Sequence, residues 1–258
     1  MDSDFDLGPF DAIAAELDAH VAGAASEGHS ADLLRQRRLY ARVAALPCVK
    51  RVCEIGFNAG HSASLWLKAA PNAEVLMFDL WEHASAPLGE AYLRSDAAKA
   101  HLERADDRLR IVRGSSLATV AAFAKAHPDV KCEVLAVDGD HTIDAATLDI
   151  ANMAALANPR FHVAFLDDAL CDAPQFCTGP TAALEHHRRA GTLAILGAQL
   201  ENPYTDDEST PRGVAIYQYL RPPIGSAASG AGAGGGDESA IVNTESANDG
   251  LISRYFGS

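Results

Sequence analysis

The stretch RVCEIGFNAGHS, residues 51–62, decides how this chain reads. An apolar, β-rich run, Arg51–Ile55, meets Gly56 and Gly60, and a helical pattern begins near Ser62. Glycine at 56 and 60 permits a tight turn and a close approach of backbone to a ligand, and a following helix start offers free N–H groups and a positive dipole end. The next β-rich run, Glu74–Leu80, carries Asp79 at its end, where a carboxylate accepts hydrogen bonds from ribose hydroxyls. A dinucleotide fold would also place an acid there. Its loop, however, is G-x-G-x-x-G, and here Glu54, Gly56 and Gly60 stand without a third glycine. The bland alternative is a glycine-containing strand-to-helix turn with no ligand.

Working outward, β-rich runs alternate with helical stretches: Arg51–Ile55, Glu74–Leu80, Leu109–Arg113, Glu133–Asp138, His162–Asp167, Leu193–Leu196 and Val214–Leu220. Between the fourth and fifth, Ile143, Thr147, Ile150, Ala154 and Ala157 mark one face of a crossover helix. This alternation predicts an α/β fold, a Rossmann-like, doubly wound, mostly parallel seven-stranded sheet with helices on both faces and right-handed crossovers. Phe10–Ala24 and Ala31–Leu46 have apolar residues at helical spacing. Residues 1–48 are therefore expected as helices packing on a catalytic domain of residues 49–223. After Ile224 the composition turns to Gly, Ser and Ala, so residues 224–258 read as a flexible tail.

Acidic residues end two central runs. The fourth closes VDGDH, with Asp138, Asp140 and His141, and the fifth closes FLDD, with Asp167 and Asp168. Carboxyl ends of neighbouring strands in a doubly wound sheet open onto one crevice, so these side chains are expected to converge. Crowded carboxylates repel, and a hard divalent cation such as magnesium relieves the repulsion through oxygen ligation. The bland alternative is local: Asp140 or His141 caps the next helix, and Asp168 supports a turn.

The E-x-G-x-x-x-G loop resembles motif I of class I S-adenosylmethionine-dependent methyltransferases. By that resemblance the cofactor is S-adenosyl-L-methionine, held by Glu54, Gly56, Asn58, Gly60, Asp79, Ser115 and Asp138. Gly56 and Gly60 make room for the methionine portion, Glu54 fixes the loop or the amino group, and Asp79 holds the ribose. Ser115 stands where the family often has an acidic adenine contact, and Ser115 or Ser116 as a helix cap is an equal reading. VDGDH followed by LDD is similar to the methyltransferase family 24 group and to macrocin-type sugar O-methyltransferases. Catechol-type enzymes have Asp-Asn where this chain has Asp167-Asp168. The resemblance spans about Arg51 to Leu220 and implies Asp138, Asp167 and Asp168 as ligands of Mg2+ or another divalent cation. It implies Asp140 as the first and His141 as the second candidate for the general base. The function it implies is methylation of a small-molecule hydroxyl on a sugar, phenol or natural product.

Charge and composition bound the partners. The formal net charge of −14, from 35 acidic and 21 basic residues, opposes the counterion release that drives nucleic-acid binding and disfavours an anionic membrane. The expected partner is a small-molecule substrate, with no nucleic acid and no membrane; a homo-oligomer is compatible. Five cysteines, Cys48, Cys53, Cys132, Cys171 and Cys177, without a C-x-x-C pair read as reduced thiols. The acidic start MDSDFD lacks the features of a signal peptide, and a cytoplasmic location is expected. His61 reads as a contact or a cap, His186-His187 as a solvated helix face, and Asn202-Pro-Tyr204 as a turn. Two rivals are an NAD-dependent oxidoreductase, for which the glycine pattern is poor, and a non-catalytic binding module that retains the fold. The segments expected to shape the acceptor pocket are Trp81–Arg94 and Cys171–Pro180, with Trp81, His83, Tyr92, Gln175 and Phe176.

Overall fold

A computed structural model describes residues 6–22, 24, 33–171, 176–201 and 212–220. Seven strands form one sheet in the order β3-β2-β1-β4-β5-β7-β6. They are β1 (Arg51–Ile55), β2 (Glu74–Asp79), β3 (Leu109–Arg113), β4 (Val134–Val137), β5 (Val163–Leu166), β6 (Leu193–Glu201) and β7 (Arg212–Tyr219). The first five are parallel, with Ile55 in register with Phe78 and Val137, and Val137 with Leu166. β7 runs antiparallel between β5 and β6. The α/β expectation of a mostly parallel seven-stranded sheet is met. Its carboxyl edge lies where β1, β2, β4 and β5 end.

β4 and β5 are buried throughout, as parallel strands covered on both faces must be. Helices α3 (His61–Ala69), α7 (Ser116–Ala126), α8 (Ile143–Met153) and α9 (Thr178–Arg189) connect or flank the strands. The crossover helix α8 is present, but its inward face is Ala146, Asp149, Ile150 and Met153; of the face expected from spacing only Ile150 is buried, with Ile143 and Ala154 exposed. Between β2 and β3 the chain folds into three short helices, α4 (Ser85–Leu93), α5 (Asp96–Lys99) and α6 (Ala105–Arg108), which periodicity did not reveal. The buried Arg108 ties this segment down by donating to the carbonyls of Leu67, Ala70, Ala73 and Glu103.

The amino-terminal residues form α1 (Gly8–Val21) and α2 (Leu34–Ala44). α1 buries Phe10, Ile13, Leu17 and Val21, spaced by three or four residues as one apolar stripe requires. It packs on α3 and α4, and α2 packs on α3 and β6. The expected tail, 224–258, and Asn202-Pro-Tyr204 lie outside the described residues, as does Gln175.

The reading of five reduced thiols requires correction. Cys53 on β1 is bridged to Cys132 just before β4, and Cys171 to Cys177, leaving Cys48 as an exposed free thiol. The physical reason is placement: the β1–β4 pairing sets Cys53 and Cys132 side by side with Cα atoms 5.9 Å apart, a proximity that sequence spacing conceals.

Candidate functional site

Gly56 and Gly60 adopt φ of 101° and 93°, a region closed to most side chains. At Gly56 a Cβ would run into the carbonyl oxygen of Asp138, so the cofactor-type loop and the end of β4 touch directly. Asn58 also has a positive φ, 45°, and its Oδ1 accepts from the Ser85 hydroxyl at 3.0 Å. The loop is held by Asp79. One carboxylate oxygen accepts from the N–H groups of Phe57 (2.7 Å) and Asn58 (3.2 Å), and the other from Trp81 N–H (2.6 Å). Asp79 thus fixes the loop and the turn after β2, with lone-pair capacity left for a further donor.

Glu54 is buried, and its Oε2 accepts from the indole N–H of Trp66 at 2.7 Å. Desolvation pushes its pKa up to about 8 against the opposing bonds from Trp66 and Ser62, so the carboxyl is largely protonated at neutral pH.

Loop and acidic strand ends open on one cleft of about 970 Å³. Its lining includes Glu54, Gly56, Asn58, Asp79, Ser115, Asp138, Asp140, His141, Asp167 and Asp168, which places together every site residue expected from sequence except Gly60. Gly60 lies behind the wall, packed against Phe57 and Leu93. Ser115 starts α7 with no side-chain cap bond, and its carbonyl accepts from Ala118 and Thr119. Two features fit a nucleoside-bearing cofactor: the glycine cradle, and Asp149 of α8. Asp149 is 1% exposed, borders the cleft and has an Oδ1 without a hydrogen-bond partner. Burial raises its pKa to about 6, opposed by a bond from Ser116.

The four aspartates are not equivalent. Asp138 faces the cleft, and desolvation followed by the charges of Asp168 and Glu54 raises its pKa. Asp167 turns aside: its Oδ2 accepts from Gln36 Nε2 at 2.9 Å and its Oδ1 from the Asp168 N–H at 3.0 Å. Desolvation and the charges of Asp138 and Asp168 push its pKa well up. Asp140 accepts from Thr142 N–H at 2.6 Å, a bond that lowers its pKa, and Thr142 in turn caps α8 through Ala145 N–H. This is the local role that sequence left open for Asp140. His141 points the other way, its Nε2 3.6 Å from Asp168 Oδ2.

Among the described residues, the donors that come within 4.8 Å of one another are Asp138, His141 and Asp168, not the expected trio with Asp167. A cation is already there. Arg212, the first residue of β7, places Nη1 2.7 Å from both carboxylate oxygens of Asp168, and its guanidinium lies 4.1 Å over the Phe176 ring. Burial works against that charge, and the bond to Asp168 with the fields of Asp168, Asp167 and Asp138 outweighs it. With Asp168 so engaged and Asp167 turned away, the donors present do not fit a divalent metal as arranged, and no chemistry is routed through one below.

Sequence reading missed Arg212, Gln36, Tyr40, Asp149 and Trp66. Tyr40 also lines the cleft, stacked on Trp66 with ring centroids 4.7 Å apart and tilted against Phe165 at 4.7 Å. The one available signal was the i, i+4 spacing of Gln36 and Tyr40, whose polar groups meet at 3.2 Å.

The comparisons agree with this geometry. Residues 53–168 match the family model of a methyltransferase domain, methyltransferase family 24. Among curated proteins none matches the chain by sequence. Among solved structures, a Klebsiella pneumoniae protein assigned as an O-methyltransferase is 14% identical with a TM-score of 0.60, over 83% of this chain and 91% of that one. An O-methyltransferase from Bacillus cereus in complex with SAH is 13% identical (TM-score 0.57, 86% and 94%). The O-methyltransferase TomG from Streptomyces achromogenes, in complex with SAM, is 17% identical (TM-score 0.55, 81% and 90%). Likeness at such identity establishes the fold. The family match runs from β1 to the end of β5, so residues 53–168 match a methyltransferase domain, on a sheet whose fold is that of these O-methyltransferase structures.

Proposed function

We propose that the protein transfers a methyl group from S-adenosylmethionine to a hydroxyl of a small molecule. The observation that carries this reading is one cleft shared by the Gly56 loop and the polar ends of β4 and β5. The reversed β7 also separates this sheet from the all-parallel 3-2-1-4-5-6 order of dinucleotide-binding folds, which weighs against the oxidoreductase rival.

When bound, the cofactor supplies an electrophilic methyl carbon on a sulfonium sulfur. The chain supplies position. Gly56, Asn58 and Glu54 would hold the methionine end, Asp79 the ribose, and Ser115 with Asp149 the base, the unpartnered Oδ1 being free to accept an amino N–H; all line the cleft. The neutral Glu54 adds no net charge beneath the loop. The acceptor enters over Asp138 and His141, with His83 and Phe176 also on the lining. His141 is the better proton acceptor, because Asp140 is held ionised and weakly basic by its bonds to Thr142. Holding the acceptor hydroxyl in line with the methyl group that the cofactor would bring to the cleft would account for much of the rate.

Calorimetry with S-adenosylhomocysteine and, in parallel, NAD tests the reading. One-site binding of the former, lost in Gly56→Ala, is expected; binding of NAD alone would overturn it. A panel of sugar, phenol and natural-product acceptors, read as S-adenosylhomocysteine release, then tests transfer.

A further inference from the structure

Three carboxylates, Asp138, Asp167 and Asp168, stand near one another at the ends of β4 and β5, and their mutual repulsion needs a counter-charge. We propose that Arg212 is that counter-charge. It occupies the electrostatic role for which the strand-end motif suggests a divalent metal, and it leaves N–H groups facing the cleft for the acceptor oxygen.

Four observations converge. Arg212 Nη1 reaches both oxygens of Asp168 at 2.7 Å, so the most buried of the three carboxylates is held in its bite by a fixed positive charge. The guanidinium is fixed by its contact with Phe176 and by the start of β7, whose Gly213 meets the backbone of Ala169, so it is a built element of the site. Asp167, which a metal would need as a further oxygen donor, is committed to Gln36 and to the Asp168 N–H. Finally, Arg212 lines the cleft, and among the described residues no other partner takes its Nε or Nη2.

Charge arithmetic gives the consequence. A guanidinium stays ionised at any pH at which the protein folds, whereas a divalent ion entering Asp138, His141 and Asp168 would meet a fixed positive charge sharing the same oxygens. The two cations oppose one another on Asp168. Arg212 lacks the Lewis acidity of a metal but offers directed N–H donors to an oxygen on which negative charge builds during transfer. It is thereby a positioning residue for Asp168 and a contact for the acceptor. This inference deepens the methyltransferase reading, and its test does not pass through methyl transfer.

The experiment is a Mn2+ titration of the full chain followed by electron paramagnetic resonance, in which bound Mn2+ loses the sharp signal of the free ion. The wild-type protein is expected to bind no stoichiometric Mn2+ up to about 1 mM, the weak end of protein oxygen sites. Arg212→Met frees Asp168 and is expected to bind one Mn2+ at least about tenfold more tightly, a gain abolished by adding Asp168→Asn. If Arg212→Met melts too early to assay, Arg212→Gln, which keeps a hydrogen bond without the charge, carries the same comparison. The proposal is overturned if the wild-type chain binds one Mn2+ below that concentration and loses it in Asp168→Asn, or if neither Arg212 variant binds Mn2+ better than wild type. S-adenosylhomocysteine calorimetry on the same samples keeps the two readings apart. Its failure removes the methyltransferase assignment, and the Mn2+ comparison still reports on Arg212.

Discussion

Trp66 on α3 donates its indole N–H to Glu54 at the end of β1, across 2.7 Å of fully enclosed protein. The bond joins the strand before the glycine loop to the helix after it, so the loop is clamped from beneath by a carboxyl that favours its protonated form. An unfolded chain releases that proton near pH 4.3, and the folded chain holds it to about 8. Across this window the native state carries more protons than the unfolded one, so stability falls as pH rises. The raised pKa values of Asp149, which is buried, and of Asp138 and Asp167, which are desolvated within the cleft, act in the same direction. Melting temperatures of the cofactor-free protein should drop from pH 5.5 to 8.5, and Glu54→Gln should flatten that decline. Parallel profiles for the two proteins would contradict the assignment.

Substitution at Gly56 should be felt far more than at Gly191. Gly56→Ala forces a Cβ into the Asp138 carbonyl at a φ of 101°, and is expected to abolish S-adenosylhomocysteine binding and cost about 2 kcal/mol or more. Gly191 ends α9 at a φ of 69° with nothing within 4 Å of the added atom. Gly191→Ala should cost about 1 kcal/mol and leave binding unchanged. Chemical denaturation and calorimetry on both variants check the contrast.

Asp79 receives three backbone N–H groups, and Asp79→Asn turns one of its acceptors into a donor facing one of them. We expect a stability loss of about 2 kcal/mol and weakened S-adenosylhomocysteine binding, since the loop itself loosens. Unaltered binding with a lowered melting temperature would show that Asp79 serves the turn alone.

His141 and Asp140 should separate cleanly. His141→Ala is expected to reduce turnover by roughly 10²-fold or more with S-adenosylhomocysteine affinity retained. Asp140→Asn should change turnover little and cost about 1 kcal/mol through the Thr142 turn. The reverse pattern in single-turnover rates would exchange their roles.

The sheet and the cleft were legible because parallel strands announce themselves as apolar runs ending in polar residues. Glu54, Asp79, Asp138 and Asp167 each follow or close such a run, and each lies on the cleft. Arg212 was invisible for a directional reason. β7 runs backwards, so its first residue, not its last, lies at the carboxyl edge of its neighbours. Asp149 went unread, since helical periodicity points to apolar positions such as Ile150 beside it and says nothing of a buried carboxylate oxygen without a partner. Asp167 was misplaced by adjacency: consecutive residues after a strand point apart, and Gln36 claims one of the two. The Cys53–Cys132 pair depends on long-range placement that cysteine spacing does not encode, whereas Cys171 and Cys177 are only six residues apart and were overlooked as neighbours.

The amino-terminal helices do more than shield the sheet. Asp18 of α1 meets His61 at 2.7 Å, Asp11 holds Arg37 at 2.6 Å, and Glu16 receives the Tyr92 hydroxyl, while α2 contributes Tyr40 to the cleft wall and Gln36 to Asp167. A trimmed version beginning near residue 49 would therefore resemble a purse with its clasp cut off. It would keep the matched residues 53–168 while uncovering Trp66 and Phe165 and unfastening the acidic corner, so the loss of α1 and α2 should be felt in the cleft itself.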